Sequence, residues 1–500
     1  MDIYHLCHRL GAALAAGRTP RHNDSPDRAV RLDEGFPMQS TTTTEPRMPV
    51  LRDRYLPERN AFGLLRLALA VGVLVAHAWP LGLGQPSPGW YATSGQSNLG
   101  MFSMQGLFVI SGFLVAGSGL RHSAVRFGWH RALRIFPALW ACLLVTALVF
   151  APLAAYRERG SLDGFWSHPD GPLDYLLTNW FGSMEQYPIS GLLADTPFGR
   201  MVGAPAAFDG SLWSLRYELA CYAVVGTLAA TAVLRRAPRA VLLLLLGLYA
   251  IILRDLLTAP DWTVWPPQHG VVGPFPLIGS FAADHVVYLG FLFLLGTAAR
   301  LYLHRVPMTG AMASLAAVLV VGSLWQGGYI AVGLPAYAYL LLYLGVALPG
   351  RLAVLGPHRD YSYGTYLYAF PLQQLIALFG GARYGLLGYL LLSLASTLLF
   401  AVASWHLVER PALRLRQYGG WPPRYTGPTR WRPSHRASAR SPRSPLPPAT
   451  PAAPAQLASP AFMRIRSIAA AGGRPAGPAT CPPEPQDAGD TPGVAAPALS

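Results

Sequence analysis

Arg66 and His77 stand eleven positions apart inside one apolar run, Ala61 to Pro80, that is long enough to cross a bilayer. If the run is helical, eleven residues rotate by about 1,100°, within about 20° of three full turns, and rise roughly 16 Å. The two side chains then share one face at different depths. A guanidinium or an imidazole facing lipid at mid-membrane is costly, so that face should look into protein or a water-filled cavity. Ionisable groups buried in this way are candidates for function.

The rest of the chain places this run in a larger bundle. Hydrophobic residues make up 52% of the 500 residues and charged residues only 13%, and charge is nearly absent for about twenty residues at a time, which excludes an ordinary soluble chain. Apolar windows fall at 61–80, 99–118, 135–155, 212–234, 240–258, 281–303, 310–325, 328–348, 363–380 and 384–407. The expected fold is all-α, a polytopic membrane protein with about ten transmembrane helices, the shortest window being 310–325. Basic residues collect in alternate loops: Arg121, Arg126, Arg131 and Arg134, then Arg235, Arg236 and Arg239, then Arg300 and Arg305, then Arg351 and Arg359. By the positive-inside rule these loops are cytoplasmic, and so are both termini. The net charge of +15 is read as topology and tail composition, with no nucleic-acid partner.

Residues 1–58 and 416–500 are polar or rich in Pro, Ala, Arg and Ser, compositions expected of disordered tails around a domain at 59–415. Met48 stands just ahead of that domain as an alternative start. No secretory signal is visible, so the first span should direct insertion. The cysteines, Cys7, Cys142, Cys221 and Cys481, fall in two tails and two spans and suggest neither a disulfide framework nor a metal site. In the long outer loop 156–211, the stretch Tyr175 to Phe181 is too short to span and reads either as an interfacial lid or platform or as a membrane-hugging loop.

Several motifs follow the Arg66/His77 pair in order. They are Gln105-Gly106-Leu107-Phe108-Val109-Ile110-Ser111-Gly112-Phe113-Leu114, Arg131-Ala132-Leu133-Arg134-Ile135-Phe136-Pro137 and Gly210-Ser211-Leu212-Trp213-Ser214-Leu215-Arg216-Tyr217-Glu218. Asp360-Tyr361-Ser362-Tyr363-Gly364-Thr365-Tyr366-Leu367-Tyr368 and Val408-Glu409-Arg410-Pro411 complete the series. Over about 59–415 the chain resembles the acyltransferase 3 family, integral-membrane enzymes that acylate sugars and other acceptors, many of them in bacterial cell-envelope glycans. Two positions depart from the family pattern: Ala369 stands where many relatives have His, and His130 precedes Arg131 where a second Arg is common.

Acyl transfer to a hydroxyl needs a base, and an imidazole near the outer end of the first span can take that proton and return it, so His77 is the candidate general base. The alternative is a helix-end His beside Trp79 at the interface. Glu218, about seven residues and roughly 10 Å into its own span, is the candidate for orienting His77 in the manner of a triad carboxylate; a local pair with Arg216 or a structural bond between helices is the plainer reading. Ser111 and Ser214 could donate to an oxyanion or simply bond their own helix carbonyls. Ser111, Trp213 and Tyr217 are assigned to substrate binding, while Asp284 and His285 read as interfacial polar residues or as part of an acceptor site.

The resemblance implies acyl-coenzyme A as co-substrate, acetyl-coenzyme A being the expected form, and no metal. Arg121, Arg126, Arg131 and Arg134 would grip its phosphates, with Arg66 above them positioning the donor or stabilising its charge. For Arg121 and Arg126 a plain positive-inside loop explains the charge equally well. The function expected is an inner-membrane O-acyltransferase that moves an acyl group from a cytoplasmic thioester to a hydroxyl of an envelope glycan or glycolipid, alone or with a separate periplasmic partner. The rival class is a transporter or flippase using the same buried charges to bind substrate, although matched halves with broken helices are not evident.

Overall fold

The computed structural model describes residues 48–263, 269–348 and 360–418. The chain divides into a unit Met1–Met48 and a unit Pro49–Ser500, and the fold is that of the second. Most of both tails, with Cys7 and Cys481, lies outside the described residues. Residues 49–58, placed in the N-terminal tail by composition, are partly packed. Leu51 is fully buried and its N–H donates to the Val306 carbonyl at 2.8 Å, while Met308 N–H donates to the Pro49 carbonyl at 2.8 Å.

Each apolar window folds as helix. Helix α1, Phe62–Ala78, continues through a π-helical turn, Trp79–Leu83, and stops at Gly84, whose φ of 64° suits a residue without Cβ. Helix α2, Leu99–Arg121, starts where the Asn98 side chain accepts from Met101 N–H at 2.9 Å. Helix α3, Ala124–Val145, carries Pro137 and runs on through the π turn Thr146–Phe150 to Arg159. Its 36 residues reach about 54 Å, more than the ~30 Å hydrocarbon core needs, so one end projects beyond the membrane. After the short helices α4, Pro172–Asn179, and α5, Pro197–Val202, come α6, Leu215–Ala230, and α7, Pro238–Thr258. A two-stranded antiparallel hairpin, β1 Val271–Phe275 and β2 Gly279–Ala282, departs from the purely helical expectation. Helices α8, Ala283–Leu301, α9, Gly310–Gln326, α10, Leu334–Ala347, α11, Ser362–Leu378, and α12, Gly385–Ser404, complete the bundle.

Seven helices among the described residues are long and apolar enough to cross a membrane, fewer than the ten expected. The other three windows correspond to α6, α9 and α11, of 16, 17 and 17 residues. Helix α6 is short because Gly210–Ser214 winds as a 3-10 turn instead. There Phe370 lies where a Cβ on Gly210 would fall, 2.5 Å away.

Helices α2 and α8 meet backbone to backbone. A Cβ on Gly112 would sit 1.9 Å from the Phe293 carbonyl oxygen, and one on Gly296 would sit 2.1 Å from that of Val109. Small residues permit such an approach where lipid supplies no hydrophobic drive for helices to associate. Helix α11 runs through the interior with Gln373 and Gln374 both fully buried. Their amides donate to the carbonyls of Leu74 at 3.0 Å and Ala207 at 2.8 Å.

The stretch Tyr175 to Phe181 is half packed. Tyr175 and Asn179 are fully buried, while Leu173, Leu177 and Phe181 are exposed. The Tyr175 hydroxyl donates to the carboxyl of Asp209, which is also fully buried. Burial pushes the Asp209 carboxyl up to about 7, against the opposing pull of hydrogen bonds from Tyr175, Thr146 and Cys142.

Gly112→Ala is expected to cost about 1–3 kcal/mol by overpacking, read as a lower unfolding midpoint in detergent. Gly128→Ala, where a Cβ meets nothing within 4 Å, should leave the midpoint unchanged or slightly higher. Asp209 gives a pH signature of defined sign. Between its unfolded value of about 3.9 and its folded value of about 7, the native state holds the extra proton, so this contribution to stability is lost as pH rises. The advantage of Asp209→Asn over wild type should grow from pH 5 to pH 7 and then level off; a midpoint difference independent of pH would contradict this.

Candidate active site

Helix α1 turns Arg66 and His77 into the protein interior at two different levels. His77 lines a cavity of about 310 Å³ together with Trp90, Asn98, Trp213, Ser214, Tyr366 and Phe370. The imidazole and the Phe370 ring pack in a T-shape with centroids 5.2 Å apart. Arg66 lines a second, smaller void of about 40 Å³ with Ser111, Ser214, Glu218, Tyr363 and Tyr366. Met104, Ser214 and Tyr366 border both voids, so the wall between them is one layer of side chains. The Tyr366 hydroxyl donates to the Ser211 carbonyl and lies 3.0 Å from Ser214 Oγ, fixing that wall.

Below Arg66 is a chain of ion pairs. Arg66 Nη1 reaches Asp360 Oδ2 at 2.7 Å, and Arg134 Nη2 reaches the same oxygen at 2.6 Å. Arg134 Nη1 then pairs with Glu409 Oε2 at 3.1 Å, and the Arg134 guanidinium lies over the Tyr363 ring at 5.6 Å. Burial alone would raise the Asp360 carboxyl, but the charges of Arg66 and Arg134 and the hydrogen bonds from Ser362 outweigh it and hold the group well below the usual carboxylate range. Asp360 and Glu409 belong to quoted motifs, yet sequence alone gave them no role.

Glu218, expected to orient His77, is bonded elsewhere. Its Oε1 accepts from Tyr222 at 2.6 Å and from Ser111 at 3.0 Å, and it lines the Arg66 void rather than the His77 cavity. The reason is geometric: the 3-10 turn before α6 delays the start of the helix and sets Glu218 past the wall, toward the Arg66 level. The local pair with Arg216 is absent too, because Arg216 pairs with Glu185 at 2.8 Å.

The four loop arginines separate into two kinds. Arg134 is committed to Asp360 and Glu409. Arg131 lies over the Tyr222 ring at 5.7 Å, its Nε is buried without a partner, and no ion pair reaches it, Arg121 or Arg126 among the described residues. These three surround His122, whose pKa is lowered by burial first and then, against a bond to the Ser118 carbonyl, by the charges of Arg126, Arg121 and Arg131. That end of the bundle therefore presents uncompensated positive charge.

Of the residues assigned to substrate binding, Trp213 lines the His77 cavity. Ser111 stands in the Arg66 void with its hydroxyl donated to Glu218. Tyr217 lines neither; its hydroxyl accepts from Ala282 N–H at 3.0 Å, anchoring β2, and its ring borders a separate apolar groove with His285. Asp284 and His285 touch at 3.3 Å outside both voids. Ala369 is buried, and the next residue, Phe370, forms the cavity wall in its place. Trp90 and Phe370 carried no sequence signal because only tertiary packing brings them to the cavity; Tyr366 sat inside a quoted motif.

A family model described as an acyltransferase domain matches residues 59–406. Nodulation protein 10 of Rhizobium leguminosarum bv. viciae is 29% identical over 383 residues, covering 72% of this chain and 94% of its own length. The O-acetyl transferase of Shigella phage Sf6 is 28% identical over 376 residues, covering 70% of this chain and 95% of its own. No solved structure matches the chain.

Asp360→Asn leaves two guanidiniums sharing a neutral amide, and breaking a buried pair of this kind costs about 3–5 kcal/mol. The sign of its pH dependence is opposite to that of Asp209. The contribution is complete above the unfolded value of about 3.9 and is lost as pH falls toward the depressed folded value. The gap in unfolding midpoint between wild type and variant should be constant from pH 6 to pH 8; a gap that closes within that range would contradict the assignment.

Proposed function

We propose, starting from the fact that this chain belongs to the acyltransferase 3 family, that it is a multi-pass membrane O-acyltransferase in which donor and acceptor meet across the wall between the Arg66 void and the His77 cavity. The observation that carries this reading is the placement of both residues on one helix, each lining its own void, with Met104, Ser214 and Tyr366 shared between the two. The name of the phage relative, O-acetyl transferase, supports acetyl as the group moved. The chain is taken to cross the inner membrane ten times with both termini cytoplasmic, the shorter helices α6, α9 and α11 counting as crossings.

In this reading the donor is acyl-coenzyme A. Its phosphates bind the guanidiniums of Arg121, Arg126 and Arg131 on the cytoplasmic side, none of which is in an ion pair among the described residues and the last of which packs over Tyr222, where a bidentate donor suits a phosphate. Arg134 does not contact the donor; its charge is spent on Asp360 and Glu409, which brace Arg66. The pantetheine arm passes Arg66 and reaches toward His77, about 16 Å further along the helix. Met104, an unbranched side chain, and Tyr366 yield to admit it.

The acceptor hydroxyl, on an envelope glycan or glycolipid, enters the cavity from the outer side beside Trp90 and Trp213. The acceptor's O–H proton passes to the imidazole of His77 as its oxygen attacks the thioester carbonyl. Collapse of the tetrahedral species breaks the C–S bond, and the departing thiolate takes the proton back from His77, leaving an ester and free thiol. Cys142 and Cys221 line neither void among the described residues, so the transfer is drawn as direct. Ser111 acts through Glu218 rather than on an oxyanion, while Ser214 and Tyr366 place their hydroxyls on the shared wall.

His77→Ala and Arg66→Ala proteins that insert normally should abolish acylation of the cell's envelope glycans, measured by mass spectrometry against deletion and complemented cells. Purified wild type given acetyl-coenzyme A should release free thiol only when acceptor is present. Full glycan acylation in either variant, or transport of unmodified acceptor without thiol release, would overturn the reading.

A further inference from the structure

A histidine that acts as a base works best when its second ring nitrogen is held, and the expected holder, Glu218, lies on the other side of the wall. His77 Nδ1 is buried without a partner. The ring packs in a T-shape against Phe370 of α11, at the interface of α1 with α11. On α11, Gln373 is fully buried and fixed at two points. Its Nε2 donates to the Leu74 carbonyl at 3.0 Å, and its own backbone carbonyl accepts from the Tyr389 hydroxyl at 2.8 Å. Its third polar group, Oε1, is buried with no partner.

Leu74 and His77 are three residues apart on one helix, which puts them on the same face one turn from each other. The amide that grips the Leu74 carbonyl therefore sits at the level of the imidazole. The contact of α1 with α11 thus carries an unpaired ring nitrogen, His77 Nδ1, and an unpaired carbonyl oxygen, Gln373 Oε1, and leaving either unmade is costly. Gln374 Oε1 is also buried without a partner, but the Gln374 amide is anchored to the Ala207 carbonyl, whereas that of Gln373 is anchored to the helix that carries His77.

We propose that Gln373 is the positioning residue for His77: neither His77 Nδ1 nor Gln373 Oε1 has a partner among the described residues, and a turn of the two side chains lets Oε1 accept the Nδ1–H of the imidazole. The bond selects the tautomer with the proton on Nδ1 and leaves the Nε2 lone pair for the acceptor hydroxyl in the cavity. A neutral amide orients the ring without adding a charge to the interior. The inference deepens the general-base reading of His77 and rests on it for its effect on rate, but the bond itself can be observed without turnover.

The test is 15N NMR of histidine-labelled full-length protein in lipid bilayers, with the His77 signals assigned by their disappearance in His77→Ala. Wild type should show His77 with a protonated, hydrogen-bonded Nδ1 and an unprotonated Nε2. Gln373→Leu should lose that single tautomer and lower kcat about 10- to 100-fold, the scale seen when the partner that orients a metal-ligating imidazole is removed, with KM for the acyl donor unchanged. Gln373→Glu, which keeps an acceptor at the same reach, should restore the Nδ1–H signal and part of kcat. A wild-type His77 protonated on Nε2, or an Nδ1–H signal untouched by Gln373→Leu, would overturn the proposal. If Gln373→Leu fails to insert, the wild-type and Gln373→Glu spectra decide alone. Activity surviving in His77→Ala would remove the base assignment while leaving the tautomer result to judge the bond.

Discussion

One carboxylate oxygen holds the bundle together at the level where the charge is greatest. Asp360 Oδ2 lies 2.7 Å from Arg66 and 2.6 Å from Arg134, so a single residue ahead of α11 ties α1 to α3, and Glu409, beyond α12, closes the set through Arg134. In a low-dielectric interior such a cluster is stable only when its charges balance and its hydrogen bonds are made; two guanidiniums against two carboxylates balance the charge, with Arg66 Nε the one buried donor of the set left without a partner. The consequence for function is directional. Arg66 cannot swing freely, and its guanidinium is fixed at the floor of the smaller void, where an incoming anionic donor would find it already in place.

The path above that floor depends on packing rather than charge. Helix α2 borders both voids, through Met101 and Met104 in the cavity and Met104, Leu107, Phe108 and Ser111 in the void. Its position is set on the far side by the glycine contacts with α8. The wall is thin because Gly210 lets Phe370 press against the turn before α6, and that same turn sets the depth of Glu218. A larger residue at 210 would move the wall and the acid together.

What was legible in the sequence follows the physics of each signal. The eleven-residue spacing of Arg66 and His77 is a property of one helix, and the structure places both side chains in interior voids. Apolar windows located every long helix because burial in lipid writes itself into hydropathy; of the three shorter than a span, α9 already had the shortest window, while the 3-10 turn at Gly210 delays α6 and the left-handed Gly380 follows the end of α11, which hydropathy does not see. The assignment of Glu218 to His77 failed for a related reason: depth counted along a window assumed a regular α-helix from its first residue. The pairing of Asp360 with two arginines spans 294 and 226 positions of sequence, and no local pattern could announce it. Trp90, Phe370 and Gln373 are in the same position, since each acquires its place only from a neighbouring helix.

The proposed route through the wall can be tested directly. A cryo-EM map of the protein in a lipid nanodisc with a non-hydrolysable thioether analogue of acetyl-coenzyme A would locate the whole donor. Density is expected for the nucleotide beside Arg121, Arg126 and Arg131, and for the pantetheine arm running past Arg66 and Tyr366 to end at His77. An analogue bound with its acyl end away from His77, or lying outside the space between α1, α2 and α11, would contradict it.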